Sequence, residues 1–449
     1  MSRHKERAYR TLLYMILAGA LIALAGTIYY SYWSRIPSTI KVRAGVEQSL
    51  DFQVPVSGEI YRVYHDESVQ EATSLSDAMG AAETVRKESG YSTEAASQSV
   101  HVDFSHPVKV RASQIDNYQM DLKLFGMLPY KSVDVQVIQD KMLTPSGMPI
   151  GIYVKTEGVL VVGIGQFEGE DGKEVSPARY ALQKGDYILK ANGETIENKK
   201  QFIDRIEQSG GEDLILTIRR SGEVTDVQLN AQKNHNREWK LGIWIRDNAQ
   251  GIGTMTYEDG QARFGALGHG INDVDTSILM NLEEGTLYRT QIVGITRGVN
   301  GVPGELTGYI EYDSRNVIGE ITQNTAEGIF GVCDQETMDE GIYEPIPIAL
   351  KQEIECGPAK IICSVTGEPE FYDVEIVEIN LDQNNVNREI VLRVADEKLL
   401  TLTGGIIQGM SGSPIIQNGK FVGAVTHVLV NDPTKGYGIF IEEMLEQAG

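Results

Sequence analysis

A serine stands between glycines in the stretch Gly404-Gly-Ile-Ile-Gln-Gly-Met-Ser-Gly-Ser-Pro414. Glycines let the backbone turn sharply there, so the Ser411 hydroxyl stands clear and the N–H groups of Gly409 and Ser411 can converge on one point. Two converging donors are what the oxyanion of an acyl-transfer reaction needs. Pro414 leads into an apolar strand at Ile415-Ile416, a turn at Asn418-Gly419, and a second strand from Phe421 to Val428. An ordinary Gly/Ser loop between strands has the same local sequence, so the chemistry depends on partners elsewhere in the chain.

A serine nucleophile needs a base and a group that orients the base. There are seven histidines. His4 lies at the N-terminus, His65, His101 and His106 flank a polar stretch, and His235 sits in a polar run. His269 and His427 share the final part of the chain with Ser411. His269 ends a strand in Phe264-Gly-Ala-Leu-Gly-His-Gly-Ile271, where small neighbours leave a substrate backbone room to reach the imidazole. A hydrogen-bonded structural histidine is the alternative. His427, mid-strand in Val-Thr-His-Val, reads as a wall of a cleft or a packed residue, and as a second candidate base.

The order His, Asp, Ser is that of chymotrypsin-like peptidases, and Asp273, Asp275, Asp313 and Asp396 all lie between His269 and Ser411. Asp396 ends a strand and begins a turn; Asp313 sits nearer the position expected in a double β-barrel. Physics alone does not separate them. Met410 precedes Ser411, where trypsin-type zymogens carry an aspartate that pairs with a newly made N-terminus. That ion pair is unavailable here, so any self-cleavage is not expected to form the oxyanion site.

The elements that must position these groups are mostly strands. Segments with period-two alternation recur from Thr39 to Tyr64 and from Val102 to Ile138. Between them, residues 66–99 are rich in Ser, Ala and Glu and read as a flexible insertion. Residues 139–234 contain Ser176-Pro-Ala, read as the start of a short helix with Ser176 as N-cap. Then come Lys184-Gly-Asp-Tyr-Ile-Leu-Lys-Ala-Asn-Gly193 and a helical pattern of Phe202, Ile203 and Ile206 over Lys200–Gln208. This order resembles a PDZ domain, in which a peptide terminus adds to a sheet edge and its carboxylate meets backbone N–H groups of a glycine loop. By that resemblance the loop is Pro149-Ile150-Gly151-Ile152.

Composition narrows the class further. Net charge is −23, which argues against nucleic-acid binding because there is no basic field to displace counterions. Cys333, Cys356 and Cys363 are odd in number, lack zinc-ligand spacing and fall in strand-like stretches, so buried free thiols are expected. No metal or cofactor is implied. Arg3, Lys5, Arg7 and Arg10 precede an uncharged run from Thr11 to Trp33, long enough to span a bilayer with the N-terminus inside and the body exported. Tyr29, Tyr30, Tyr32 and Trp33 would form an outer aromatic belt. A cleaved signal peptide with its site at Ala23-Leu-Ala25 is the alternative.

Taken together, the anchor, the PDZ pattern, Gly-Ala-Leu-Gly-His-Gly-Ile and Thr-Gly-Gly-Ile-Ile-Gln-Gly-Met-Ser-Gly-Ser-Pro resemble the SpoIVB peptidase family of sporulation serine peptidases. Leu122-Lys-Leu-Phe-Gly-Met-Leu-Pro-Tyr-Lys131 and Asn431-Asp-Pro-Thr-Lys-Gly-Tyr-Gly438 extend the likeness. The resemblance implies His269 as base, Ser411 as nucleophile and Asp396 as acid. It implies a mostly β chain in four parts: residues 1–35 as tail and anchor, 36–138 as a β region with the insertion, 139–234 as the PDZ domain, and 235–449 as a chymotrypsin-like double barrel. The implied activity is self-cleavage, then cleavage of a membrane-bound regulator of an intramembrane protease, leading to sigma-K activation. The implied place is the space between mother cell and forespore. An HtrA-like quality-control peptidase and an inactive PDZ scaffold are the competing readings; HtrA proteins place the PDZ domain after the protease.

Overall fold

A computed structural model describes residues 3–62, 100–112, 114–334, 337, 343–381 and 386–448. The expected flexible insertion at 66–99 lies outside the described residues. The chain forms two compact bodies, the first built mainly on Met1–Lys141 with Leu350–Ile354, the second on Met142–Ala349, Glu355–Ile379 and Asn385–Gly449.

In the first body, helix α1 (Arg3–Trp33) contains a 25-residue apolar stretch, Tyr9–Trp33, long enough to cross a membrane. Part of the aromatic cluster expected as a lipid belt packs on protein instead. Tyr29 and Trp33 meet the Tyr130 ring edge-on, with centroids 5.7 and 5.3 Å away. Tyr130 belongs to a five-stranded sheet of β1 (Thr39–Arg43), β2 (Val56–Arg62), β3 (Val100–Asp103), β4 (Asn117–Leu124) and β5 (Leu128–Ile138), ordered β1-β5-β4-β2-β3. Alternation decides its faces: Met120, Leu122 and Leu124 of β4 point into the core while Asp121 and Lys123 face out. Arg43, 5% exposed, is held by ion pairs to Glu353 and Asp140.

The second body depends on one long apolar run. After β6 (Met142–Pro145), β7 (Pro149–Ile164) holds 16 residues and serves two structures. Its second half pairs with β8 (Tyr187–Ala191), which pairs in turn with β9 (Asp213–Arg220), and β9 with β10 (Glu223–Asn230). Helix α2 (Lys199–Ser209) starts at Asn198, whose side chain accepts the Gln201 N–H, and stops at Gly210 in the left-handed region. Phe202 and Ile206, four residues apart, share its buried face, so the expected helical pattern is present. Ser176 differs from expectation. Its hydroxyl donates to the Gly165 carbonyl at 2.6 Å, and residues 177–181 form turns rather than a helix.

The first half of β7 belongs elsewhere. It lies between β11 (Ile243–Glu258) and β13 (Leu282–Thr296). With β12 (Arg263–Ala266), β15 (Val317–Thr325) and β16 (Gly328–Cys333), the pairings run β7-β13-β15-β16-β12-β11 and return to β7, closing a ring of six strands. Ile150, Val154, Met255, Phe264, Leu287 and Ile329 fill it. A side hairpin, β14 (Glu305–Ile310), extends from β13. A second closed barrel follows: β17 (Gly357–Cys363), β18 (Glu370–Ile379), β19 (Ile390–Val394), β22 (Lys435–Phe440), β21 (Lys420–Val428) and β20 (Pro414–Gln417) in ring order. Between β19 and β20 runs α3 (Glu397–Thr403), and α4 (Ile441–Gln447) ends the chain.

The chain is therefore mostly β with two six-stranded barrels, but the expected border at 139 shifts. Residues 142–156 pair within the first barrel, and the PDZ-like part is inserted between two strands of that barrel, β7 and β11. Gly158 makes the departure possible. It sits at φ +70, and a Cβ there would run into the Ile188 carbonyl. All three cysteines are free; Cys333 and Cys363 are buried as expected, whereas Cys356 is exposed. Gly158→Ala is expected to lower stability by roughly 1–3 kcal/mol through forced backbone strain, seen as a lower thermal midpoint; an unchanged midpoint would contradict this role.

Candidate active site

Backbone hydrogen bonds fix the shape of the loop that carries Ser411. Helix α3 ends at Gly404, φ +78, and Gly405 follows at φ +140, where any Cβ would meet the Pro433 carbonyl. Beyond it every carbonyl from Gln408 to Ser411 is held. Gln408 O accepts the Leu306 N–H at 2.8 Å and Met410 O accepts the Ser413 N–H at 3.0 Å. Thr254 of β11 holds the other two, its hydroxyl donating to Gly409 O at 2.9 Å and its N–H to Ser411 O at 3.0 Å. The N–H groups of Gln408, Met410, Gly412 and Ser413 donate to Gly304, Ile407, Val425 and Met410. Among the described residues, only the N–H groups of Gly409 and Ser411 in this run have no protein acceptor.

That remainder has a geometric cause. In a trans peptide the N–H points opposite the preceding carbonyl. With Gln408 O tied to Leu306 and Met410 O tied to Ser413, the N–H groups of Gly409 and Ser411 must point the other way. Both residues line a cavity of about 570 Å³ that also receives His269, Thr426 and His427. The donor pair exists in the uncut chain, and Met410, fully buried, takes no part in an ion pair. The Ser411 hydroxyl donates to the Thr426 carbonyl at 2.6 Å.

His269 follows β12 through a tight turn, with Leu267 at φ +70 and Gly268 at φ +68. Its Nδ1 lies 2.9 Å from the Gly270 carbonyl. A carbonyl can only accept, so Nδ1 carries the proton and Nε2 keeps its lone pair. Asn272 donates to the same carbonyl at 3.2 Å. Asn324 of β15 clamps the next residue, accepting the Ile271 N–H at 2.7 Å and donating to Ile271 O and Met280 O. Burial pushes the His269 pKa below its usual value, keeping the imidazole neutral. The His427 ring lies 4.7 Å from it, tilted by 33°. His427 keeps an exposed edge, while burial of its inner side, then His269 and Arg388, push its pKa down to about 4.

The structure thus brings His269, Ser411, Gly409 and His427 to one cavity. It does not bring the two acids there. Asp396 is the N-cap of α3, accepting the Leu399 N–H at 2.9 Å, and the Asp373 N–H lies 3.4 Å from its other oxygen. Asp313 caps a short turn and pairs with Arg315 at 2.9 Å. Asp273 is buried in an ion pair with Arg246, which also reaches Asp275. The partner of His269 Nδ1 is the Gly270 carbonyl. Thr254, Asn272 and Asn324 were not anticipated; Asn272 alone stood close to a recognisable motif.

The peptide loop also moves. Pro149–Ile152 are buried in β7, paired with β11 on one edge and, from Ile150, with β13 on the other, so they offer no free edge to a ligand. A similar tripeptide, Leu241-Gly242-Ile243, has the geometry expected of the loop. Leu241 O accepts the Ala178 N–H at 3.1 Å and Gly242 O the Gly165 N–H at 2.8 Å. Among the described residues the N–H groups of Leu241 and Gly242 donate to no protein acceptor. Gly242 stands at φ +73, where a Cβ would press on the Gly165 carbonyl. The first residues of β11 follow, beside α2, whose Lys199 N–H donates to Asp247 at 2.8 Å.

Comparison with known families matches residues 237–445 to SpoIVB peptidase S55 and residues 170–220 to the PDZ domain. Among solved structures, the PDZ domain of the SdrC-like protein of Listeria monocytogenes is 20% identical and covers 20% of this chain and 90% of its own, with a TM-score of 0.17. The Rv3671c protease in its inactive form is 15% identical, covering 44% of this chain and 82% of its own at a TM-score of 0.25. Its active form, from M. tuberculosis, is 17% identical, covering 44% and 73% at 0.24. A search of curated proteins returns no match.

Asparagine caps a helix as well as aspartate does, so Asp396→Asn is expected to keep turnover within about threefold. Asp396→Ala should cost about 1 kcal/mol of stability. A fall of about 10⁴ in kcat for Asp396→Asn would instead mark it as the orienting acid. The acid limb of kcat/KM should lie below pH 6.5, because burial lowers the His269 pKa and the neutral base survives to lower pH. An acid limb above 6.5 would contradict that environment.

Proposed function

We propose that this chain, which is similar to SpoIVB peptidase S55 over residues 237–445 and to the PDZ domain over residues 170–220, is a serine peptidase with the following mechanism and role. Ser411 turns from the Thr426 carbonyl toward Nε2 of His269, which takes its proton as Oγ bonds to the scissile carbonyl carbon. The oxyanion is held by the N–H groups of Gly409 and Ser411. His269, now an imidazolium hydrogen-bonded to the Gly270 carbonyl, gives its proton to the leaving amine as the C–N bond breaks. A water then attacks the acyl-enzyme with the same base, releasing the new carboxylate and restoring Ser411. The observation that carries this reading is the backbone of the 408–413 loop, in which the Gly409 and Ser411 donors alone remain for a ligand.

A neutral carbonyl stabilises the imidazolium less than a carboxylate would, since charge-assisted hydrogen bonds are about twice as strong as neutral ones. A slow, selective enzyme fits such a dyad better than a digestive one. That agrees with the role the family resemblance suggests: an exported, membrane-anchored peptidase of sporulation signalling. In that role it cuts itself and then a membrane-bound regulator of an intramembrane protease, upstream of sigma-K. Support for the anchor is the apolar stretch Tyr9–Trp33 behind basic residues. Support for protein partners is the PDZ domain.

The test is mass mapping of fragments from the full-length protein in detergent, wild type against Ser411→Ala. Self-cleavage and cleavage of an added unfolded protein should both be lost in the variant, with its thermal midpoint unchanged. Self-cleavage that persists in purified Ser411→Ala would overturn the assignment.

A further inference from the structure

Among the described residues, two pairs of backbone N–H groups lack protein acceptors, Leu241/Gly242 and Gly409/Ser411. Both lie along one strand, the first at its start and the second beside Thr254. The first pair immediately precedes β11, and Thr254 of β11 holds the loop that carries the second. From Ile243 to Thr254 one edge of β11 pairs with β7. The opposite edge, which β12 occupies from Met255 onward, has no strand partner among the described residues over 243–253. Ala249, Gln250, Gly251 and Ile252 of this stretch line the cavity that holds His269 and Ser411. Ile243 and Ile245 are half-buried against the PDZ core beside α2, giving the near end an apolar seat.

An unpaired edge of this kind accepts an added strand through main-chain hydrogen bonds, and a pair of open N–H groups at its start accepts a terminal carboxylate. We propose that a single substrate strand occupies both sites. Its free C-terminal carboxylate rests on the Leu241 and Gly242 N–H groups, its backbone pairs along β11, and its scissile carbonyl reaches the Gly409 and Ser411 N–H groups. This inference rests on the serine-peptidase reading and names its substrate class: proteins with an extended, free C-terminal tail. A tail held at the start of β11 runs antiparallel to it, so each residue upstream lies one step nearer Ser411. At about 3.3 Å per residue, the stretch 243–252 spans about 33 Å, and the cut falls about ten residues from the substrate's C-terminus. The strand is not straight. Its pairing with β7 jumps from Arg246↔Leu160 to Asn248↔Lys155, so the ruler is counted in residues along the edge.

The experiment uses the full-length protein in detergent and randomised-sequence peptides of two lengths, both well beyond the ruler. Each pool is made with a free carboxylate and with a C-terminal amide. Mass spectrometry of the released C-terminal fragments should give lengths clustered near ten residues for both pools, so that the cut follows the end of the peptide. The amide removes the charge that the Leu241 and Gly242 N–H groups would hold, and should lower kcat/KM roughly tenfold or more. Fragment lengths that scatter, or equal cleavage of acid and amide, would overturn the ruler. If the enzyme cuts unfolded casein but follows no such rule, the inference fails and the peptidase reading stands. If wild type cuts neither peptides nor casein, or Ser411→Ala cuts as well as wild type, the peptidase reading itself fails, and the ruler with it.

Discussion

The catalytic half of this protein depends on the hold that β11 has on the nucleophile loop. Thr254 donates twice, from its hydroxyl to Gly409 O and from its N–H to Ser411 O. Leu306 and Ser413 hold the two carbonyls between which those bonds alternate. Because each peptide is planar and trans, the Gly409 and Ser411 N–H groups point away from the Gln408 and Met410 carbonyls that Leu306 and Ser413 hold, while Thr254 fixes the two peptides that follow them. The donor pair that we propose as the oxyanion site thus depends on a loop of the second barrel held from outside by Thr254 and Leu306 and from within by Ser413. It does not need a new N-terminus, which agrees with an apolar, buried Met410 where a zymogen aspartate would stand.

The same strand explains why the PDZ domain sits where it does. Inserted between β7 and β11, it shares both strands with the barrel that carries His269. On the proposal of a shared substrate strand, a ligand lying along β11 is aligned with the cavity that holds His269 and Ser411. The insertion also accounts for domain order: the barrel both precedes and follows the PDZ domain in sequence, so neither a simple N-terminal nor a simple C-terminal placement describes it.

Much of the candidate site is legible in the sequence because it is local. Gly-Met-Ser411-Gly and Gly-His269-Gly each owe their shape to glycines adjacent in sequence, and the family resemblance rests on the same short runs. What was missed is long-range. Thr254 and Asn324 act across barrels or between strands, and nothing near either residue announces it. The PDZ loop was misplaced because Ile150-Gly-Ile and Leu241-Gly-Ile are nearly the same tripeptide; only strand pairing shows that the first is enclosed on both edges. The border at 139 failed for a related reason, since β7 is one apolar run that supplies two structures. Asp396 carries a local signal of its own. An aspartate just before Glu-Lys-Leu-Leu is a helix N-cap pattern, and capping is the job the structure gives it.

The central claim is that Ser411 is a competent nucleophile, with its oxyanion site formed, before any cut is made in the chain. The most direct measurement is the reaction of freshly purified, uncut full-length protein with a fluorophosphonate, with the labelled residue located by mass spectrometry. Labelling of Ser411 in the intact chain, lost in His269→Ala, is the predicted result. Labelling that appears only after self-cleavage, or on another residue, would contradict the account.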